Sequence, residues 1–385
     1  MTLMNINPSS FQWFVPRLLS IALCCTLALA ARAHAQAPPE RHLLYVAEPG
    51  IRNDQQYGGH GVLVLDIDDA HRFVRRIPFG GLDDKQTPMN VKGVCASAAT
   101  GRLYVSTLKT LCCFDLETDK VLWEKPYDGG CDRMSILPDG KSIFLPSLEG
   151  AFWRVVDANT GDVLAKIETD SGSHNTIAGP NGKWAYLAGL KSKTLTVADT
   201  QTRTAVRTVG PFDDVIRPFT IDGDQKFVFV NVNGLLGFEV GELATGKMLH
   251  RVEVQGFAKG PTKRHGCPSH GIGLTPDGKE LWLCDSFNRR LHVFDATVMP
   301  PVQVASVELR DEPGWVTFSI DGRYAYPSSG EIVDTKARKV VGSLKDEQGR
   351  DIQSEKLIEI DFAGDKPVRS GDQFGISRPT VAKKG

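Results

Sequence analysis

Beyond residue 35 the sequence has no apolar run long enough to cross a membrane as a helix, which takes about 20 residues, so no membrane span is expected. It also lacks a basic excess. Lys and Arg total 45 against 46 Asp and Glu, a formal net charge of −1, which excludes the positive face a nucleic-acid partner requires. No segment has the 3.6-residue apolar period of an amphipathic helix, which excludes helical bundles and helical solenoids. Several catalytic signatures are missing too: C-x-x-C-H for c-type haem, the G-x-S-x-G elbow, and a phosphate-cradling Gly-rich loop before a helix. The dense carboxylate set of a calcium-dependent lactonase centre is not found either; Asp83-Asp84 and Asp213-Asp214 are loop acid pairs, read as solvated. The sequence therefore calls for no cofactor. A divalent metal on histidines and a haem held without a covalent motif stay open as alternatives.

What is present begins at the N-terminus. Arg17 precedes the apolar run Leu18 to Leu29, and Ala33-His34-Ala35 forms an A-x-A cut before Gln36. That order describes a secretory signal peptide over residues 1–35, and Ile21-Ala22-Leu23 ahead of Cys24 makes no lipobox. The expectation is a soluble, monomeric protein, periplasmic or secreted. Loss of Arg17 and Arg32 takes the formal net charge from −1 to −3, and six of the eight cysteines remain. An even number of cysteines in an oxidising compartment is compatible with disulfides. The expected organisation is a signal peptide (1–35), a linker (36–41), one folded domain (42–369) and a C-terminal tail (370–385).

The domain is a repeat. "ILPDGKSIFLPSLEGAFWRVVDANTGDVLAKI" (136–167) and "IAGPNGKWAYLAGLKSKTLTVADTQTRTAVRTV" (177–209) share one skeleton. Each has an apolar strand, a Pro-x-Gly turn, an aromatic-bearing strand, a strand ending in Asp, a Thr-bearing turn and a final Val/Leu strand. Six such units start near residues 91, 133, 175, 217, 270 and 315. Four short strands recurring every 40–45 residues are the period of a β-propeller blade. Three strands at 42–79 lack a first strand, and "SEKLIEIDF" (354–362) is one strand without a unit. Joining them closes a seven-bladed, all-β propeller and hides an edge.

The turns "PDG" at 138–140 and 276–278, "PNG" at 180–182, "LYVST" at 103–107 and "VVDANTGDVLAKI" at 155–167 carry a resemblance to the YVTN-type seven-bladed β-propeller repeat family. The likeness spans roughly residues 42–365. It implies the fold and leaves function open, since relatives of this kind include binding proteins, lactonases, a lyase and propeller parts of redox enzymes.

Turns on one face of such a disc are monotonous Asp/Asn-Gly and Asp-x-x-Thr sequences, suited to backbone bonding and positive φ. The other face collects the unusual loops, among them 48–61, 80–90 and 255–270. Function in scaffolded folds concentrates in such loops. The residues opening the first strands point at the channel mouth on that face: Lys92, Asp132, His174, Arg217, His270 and Gly314, with Arg133, Asn175, Trp315 and Glu355 beside them. Strands entering apolar blades ordinarily open with Val or Ile, so this polar ring breaks the local rule.

"HGCPSH" (265–270) brings His265, Cys267 and His270 close in sequence. They lie on different elements, loop and strand, so no metal site is expected from their spacing. Folding the hairpin about Asp277-Gly278 puts Cys284 level with His270, which makes a Cys267–Cys284 disulfide plausible. Cys131 is the more reachable partner for Cys112 or Cys113. His174 and His270 are expected to face one another across part of the channel with Arg217 between them. The resulting expectation is a binding module for a small anionic ligand, a peptide or a protein partner, contacted first by Lys92, Arg133, Arg217, His174 and His270, with Trp315 as an apolar wall. The alternatives are a hydrolase or lyase using His174 or His270 as acid–base residue, and a propeller subunit of a redox complex.

Overall fold

The computed structural model describes residues 1–2, 39–262 and 264–380. The expected signal peptide falls almost entirely outside the described residues. From Glu40 onward the chain forms seven antiparallel sheets. Six are four-stranded blades of consecutive strands, and the seventh has the order 366–370, 357–363, 40–48, 61–66, 72–77. Strand Leu357–Ala363 pairs with Glu40–Glu48, Leu43 opposite Ile360, so the C-terminal strand completes the N-terminal blade. Blades two to seven open at Val91, Ser135, Asn175, Ile216, Ser269 and Val316, within two residues of the starts read from the repeat. Among the described residues no helix is long and apolar enough to cross a membrane.

The amino-acid pattern explains the architecture. Middle strands such as Thr110–Asp115 are buried on both faces, whereas fourth strands such as Thr204–Val209 are largely exposed at the rim. Successive residues of a middle strand point to opposite sides and so serve different neighbours. Tyr45 packs with Val91 and Val105 of blade two, while Leu44 packs with Tyr326 and Ile332 of blade seven. Such clusters lie between every pair of adjacent blades. Each buried Val or Leu contributes about 1.5–3 kcal/mol, and the ring is held by these layers. The Asp-x-x-Thr turns behave as read: Asp115 accepts from the backbone N–H of Thr118 at 2.8 Å and from its hydroxyl at 2.7 Å, and Asp199 accepts from the N–H of Thr202 at 2.8 Å.

Two features differ from the sequence reading. Strand Lys366–Ser370 adds a fifth strand to blade one. Beyond it the tail crosses the turn-face end of the channel as a strap. The Trp315 indole N–H donates to the Gln373 carbonyl, Thr220 Oγ1 donates to Gly375 O at 2.7 Å, and the backbone N–H of Gly223 donates to Ser377 Oγ at 2.8 Å. Neither feature has a repeat to betray it.

Candidate functional site

The first strands carry their opening residues into the channel on the loop-rich side, and equivalent residues of consecutive blades become spatial neighbours. Asp132 lies just ahead of the first strand of blade three. Its Oδ2 lies 2.6 Å from His174 Nδ1 of blade four, 42 residues on, and its Oδ1 lies 3.3 Å from Lys92 Nζ of blade two. Burial opposes charge on Asp132, but His174, Lys92 and Arg133 outweigh it and hold the carboxyl well below the usual range. Burial pushes His174 down, only partly offset by Asp132, and Lys92 and Arg133 push the same way. The pair is therefore carboxylate plus neutral imidazole: Nδ1–H donates to Asp132 and Nε2 carries the lone pair. The Lys92 and His174 side chains remain 19% and 14% exposed, so this cluster meets solvent.

A second cluster lies deeper. Glu355, just ahead of the ring-closing strand, takes an ion pair from Arg133 and another from Lys356 at 3.0 Å on Oε2, and His265 Nδ1 lies 3.2 Å from its Oε1. Burial works against ionisation of Glu355, yet Lys356, Arg133 and His265 together hold it well below the carboxylate range. Burial brings Lys356 down to about 8; its ammonium also donates to Gly50 O at 2.8 Å. The Arg133 guanidinium sits 3.6 Å from the centre of the Trp315 ring, a cation–π contact worth about 2 kcal/mol when desolvated. Trp315 in turn meets the strap residue Phe374 edge-on at 5.9 Å. His270 Nδ1–H donates to Gly314 O at 2.7 Å, which leaves Nε2 bare. Burial, then His265, push His270 well below its ordinary value, so it is neutral.

Several polar atoms in this ring are buried without a partner: Arg133 Nε and Nη1, both amide atoms of Asn175, and His265 Nε2. A buried donor or acceptor left unpaired costs about 1–3 kcal/mol, and functional sites are where folds tolerate it. Lys92, Arg133 and Lys356 outnumber Asp132 and Glu355 by one charge, with His174 and His270 neutral. The interior thus offers surplus positive charge and free donors, which suits an anion.

Some expectations need correction. His174 and His270 do not join one cluster about Arg217: His174 is held by Asp132, His270 by Gly314, and Arg217 bonds Asn233 Oδ1 at 2.6 Å and Gly266 O at 3.1 Å, anchoring the inserted loop. The Cys267–Cys284 bridge is not formed, and all six cysteines from Cys95 onward are free thiols. The Cys267 thiol is turned to Ser269 O at 2.9 Å, while the Cys284 thiol lies against Gly271. His265 does reach His270, with ring centroids 5.1 Å apart, and Glu355 rather than Cys267 is the third member of the group. The three offer ligand atoms within 4.8 Å of one another. With Arg133 and Lys356 already neutralising Glu355, that trio opposes a second dication-sized charge.

Two features escaped the sequence. His265 and Glu355 were each named from sequence, but their contact, made between residues far apart in the chain, was not. A cavity of about 480 Å³ opens on the turn face between the strap and blades one to four, six and seven. Its charged lining groups are already engaged: Arg369 Nε donates to Asp361 Oδ2 at 2.8 Å, Arg378 donates to Ile320 O, and Asp372 accepts from Phe374 N–H at 2.7 Å. The unpaired donors of Arg133 and Asn175 lie outside this cavity's lining.

No protein-family model matches the chain and no curated protein sequence is similar to it, so the YVTN-type likeness remains one of motifs. Among solved structures, Kuenenia stuttgartiensis hydrazine synthase aligns over 62% of this chain and 92% of its own, with 17% identity and a TM-score of 0.44. Dihydro-heme d1 dehydrogenase NirN in complex with DHE aligns over 85% of this chain and 72% of its own, with 14% identity and a TM-score of 0.59. At such identities the likeness concerns the fold alone: this chain is a seven-bladed β-propeller.

Proposed function

We propose that the protein is an exported binding module, periplasmic or secreted, that takes a small anionic ligand at the loop-rich mouth of its channel. The observation that carries the reading is Arg133. Its guanidinium is stacked on Trp315, spends only Nη2 on Glu355, and keeps Nε and Nη1 buried and unpaired. Guanidinium donors of this kind suit carboxylate or phosphate oxygens. Lys92 and His174 stand nearer the entrance, and Asn175 and His265 add unpaired polar atoms inside. A peptide or protein partner would engage the same mouth through a terminal carboxylate or an acidic side chain. Export rests on the N-terminal pattern around Arg17 and Ala33-His34-Ala35.

Thermal unfolding in the presence of phosphate, acetate, malonate and citrate tests the reading. A ligand at 100 times its Kd stabilises by about 2.7 kcal/mol, which appears as a rise in Tm that added chloride reduces. Arg133→Gln is expected to abolish the rise. Equal shifts in wild type and Arg133→Gln, or none in wild type with any of the four anions, would overturn it.

A further inference from the structure

We propose that His174 is a general base, positioned by Asp132, that removes a proton from the carbon next to the carbonyl of a bound 2-oxo acid. The inference rests on the anion-binding reading above and assigns a chemistry to that site.

Among the described residues, His42–Asp68 is an exposed surface pair, and the other two Asp–His pairs allow a direct comparison. Asp285 and His292 are 3.0 Å apart and fully buried, and the other ring nitrogen of His292 lies 2.8 Å from Ser306 Oγ. Both nitrogens are in use, so this pair is structural. His174 differs on each count. Its hydrogen bond among the described residues is through Nδ1 alone, its side chain is 14% exposed, and it stands at the channel entrance. A neutral imidazole whose Nδ1–H is fixed by a carboxylate presents the Nε2 lone pair in a set direction, the arrangement a general base needs.

The neighbours complete the chemistry. Asp132 is a relay of position: Oδ2 holds His174, while Oδ1 accepts the Arg133 backbone N–H at 3.0 Å and lies 3.3 Å from Lys92 Nζ. The base is thereby tied to Lys92 and to the backbone of Arg133, the two residues whose cationic groups would hold a carboxylate and an adjacent carbonyl oxygen. In the step proposed, Nε2 takes a proton from C3 of the oxo acid. The C3–H bond pair becomes the C2=C3 π bond, and the carbonyl π pair moves onto the C2 oxygen. The resulting enolate is stabilised by Lys92 and Arg133, as positive groups aimed at developing charge do. Return of a proton from Nε2 to C3 restores the oxo acid, so the cycle needs no co-reactant. Its signature is exchange of C3 hydrogens with solvent.

The test uses purified protein and pyruvate in D2O, following loss of the methyl proton signal by NMR, with binding read separately by saturation transfer. Wild type is expected to exchange the methyl protons faster than the protein-free control. His174→Asn is expected to bind pyruvate and lose at least about 10²-fold of the rate, the range of a general base. Asp132→Asn is expected to slow exchange and to move the acid limb of its pH profile to lower pH, because the Asp132 charge raises the His174 pKa. A merely structural Asp132 would leave that limb in place. Saturation transfer without exchange in wild type, or exchange undiminished in His174→Asn, would overturn the base while leaving the anion site standing. Absence of any pyruvate binding in wild type would overturn the proposal.

Discussion

Glu355 is the carboxylate that Arg133, Lys356 and His265 share, and replacing it with Gln isolates that charge with little change of shape. The Glu355, Arg133 and Lys356 side chains are 10%, 3% and 4% exposed. Glu355→Gln therefore leaves two buried cations without a counter-charge. Breaking a buried pair by removing one partner costs about 3–5 kcal/mol; the remaining amide oxygen still accepts one hydrogen bond, which points to the lower end. Urea unfolding at pH 7, followed by tryptophan fluorescence, reads the difference. The pH dependence has a definite sign. Glu355 is held well below its ordinary 4.5 in the folded protein, so its contribution is present above that value and is lost as pH falls through the folded pKa. The gap between wild type and Glu355→Gln should be constant from neutral pH to about 5 and should narrow in stronger acid. Adding Lys356→Met to Glu355→Gln should recover part of the loss, because one of the orphaned charges goes with it. A single mutant within about 1 kcal/mol of wild type, or a gap that widens in acid, would refute this electrostatic account.

Lys356 gives a dependence of the same sign in an alkaline window. Its pKa falls to about 8 on folding from 10.5, so the unfolded chain binds more protons between those values and stability gains as pH rises from 8 toward 10.5; Lys356→Met should lack that gain in urea unfolding across the range. At Gly314 an added Cβ would lie 2.1 Å from His265 Cε1. Gly314→Ala should expel the His265 ring, cost about 1–3 kcal/mol as overpacking does, and weaken phosphate or carboxylate binding measured by calorimetry.

The blades were legible because their signals are local and recur. Asp139-Gly140, Asn181-Gly182 and Asp277-Gly278 mark the same turn, and strand starts follow by counting. The neighbourhood of Lys92, Asp132 and His174 was legible for the same reason. Its internal pairing was also within reach, since residues one repeat apart stand side by side in a propeller, as Asp132 and His174 do. What stayed hidden depends on contacts with no period. Glu355 meets Arg133 and His265 only because the ring closes through strand Leu357–Ala363. The strap 371–380 is a single crossing of the channel, fixed by Gln373, Gly375 and Ser377, and no second copy exists to reveal it. The Cys267–Cys284 reading failed on side-chain direction: level positions on neighbouring segments do not fix where the two thiols point.

The most direct test of the anion site is a crystal of the purified protein grown with bromide in place of chloride, with data collected at the bromine edge. The account predicts an anomalous peak inside the channel within hydrogen-bond reach of Arg133 Nε or Nη1, absent in Arg133→Gln. A channel without bromide at Arg133, with halide bound only on the outer surface, would contradict it.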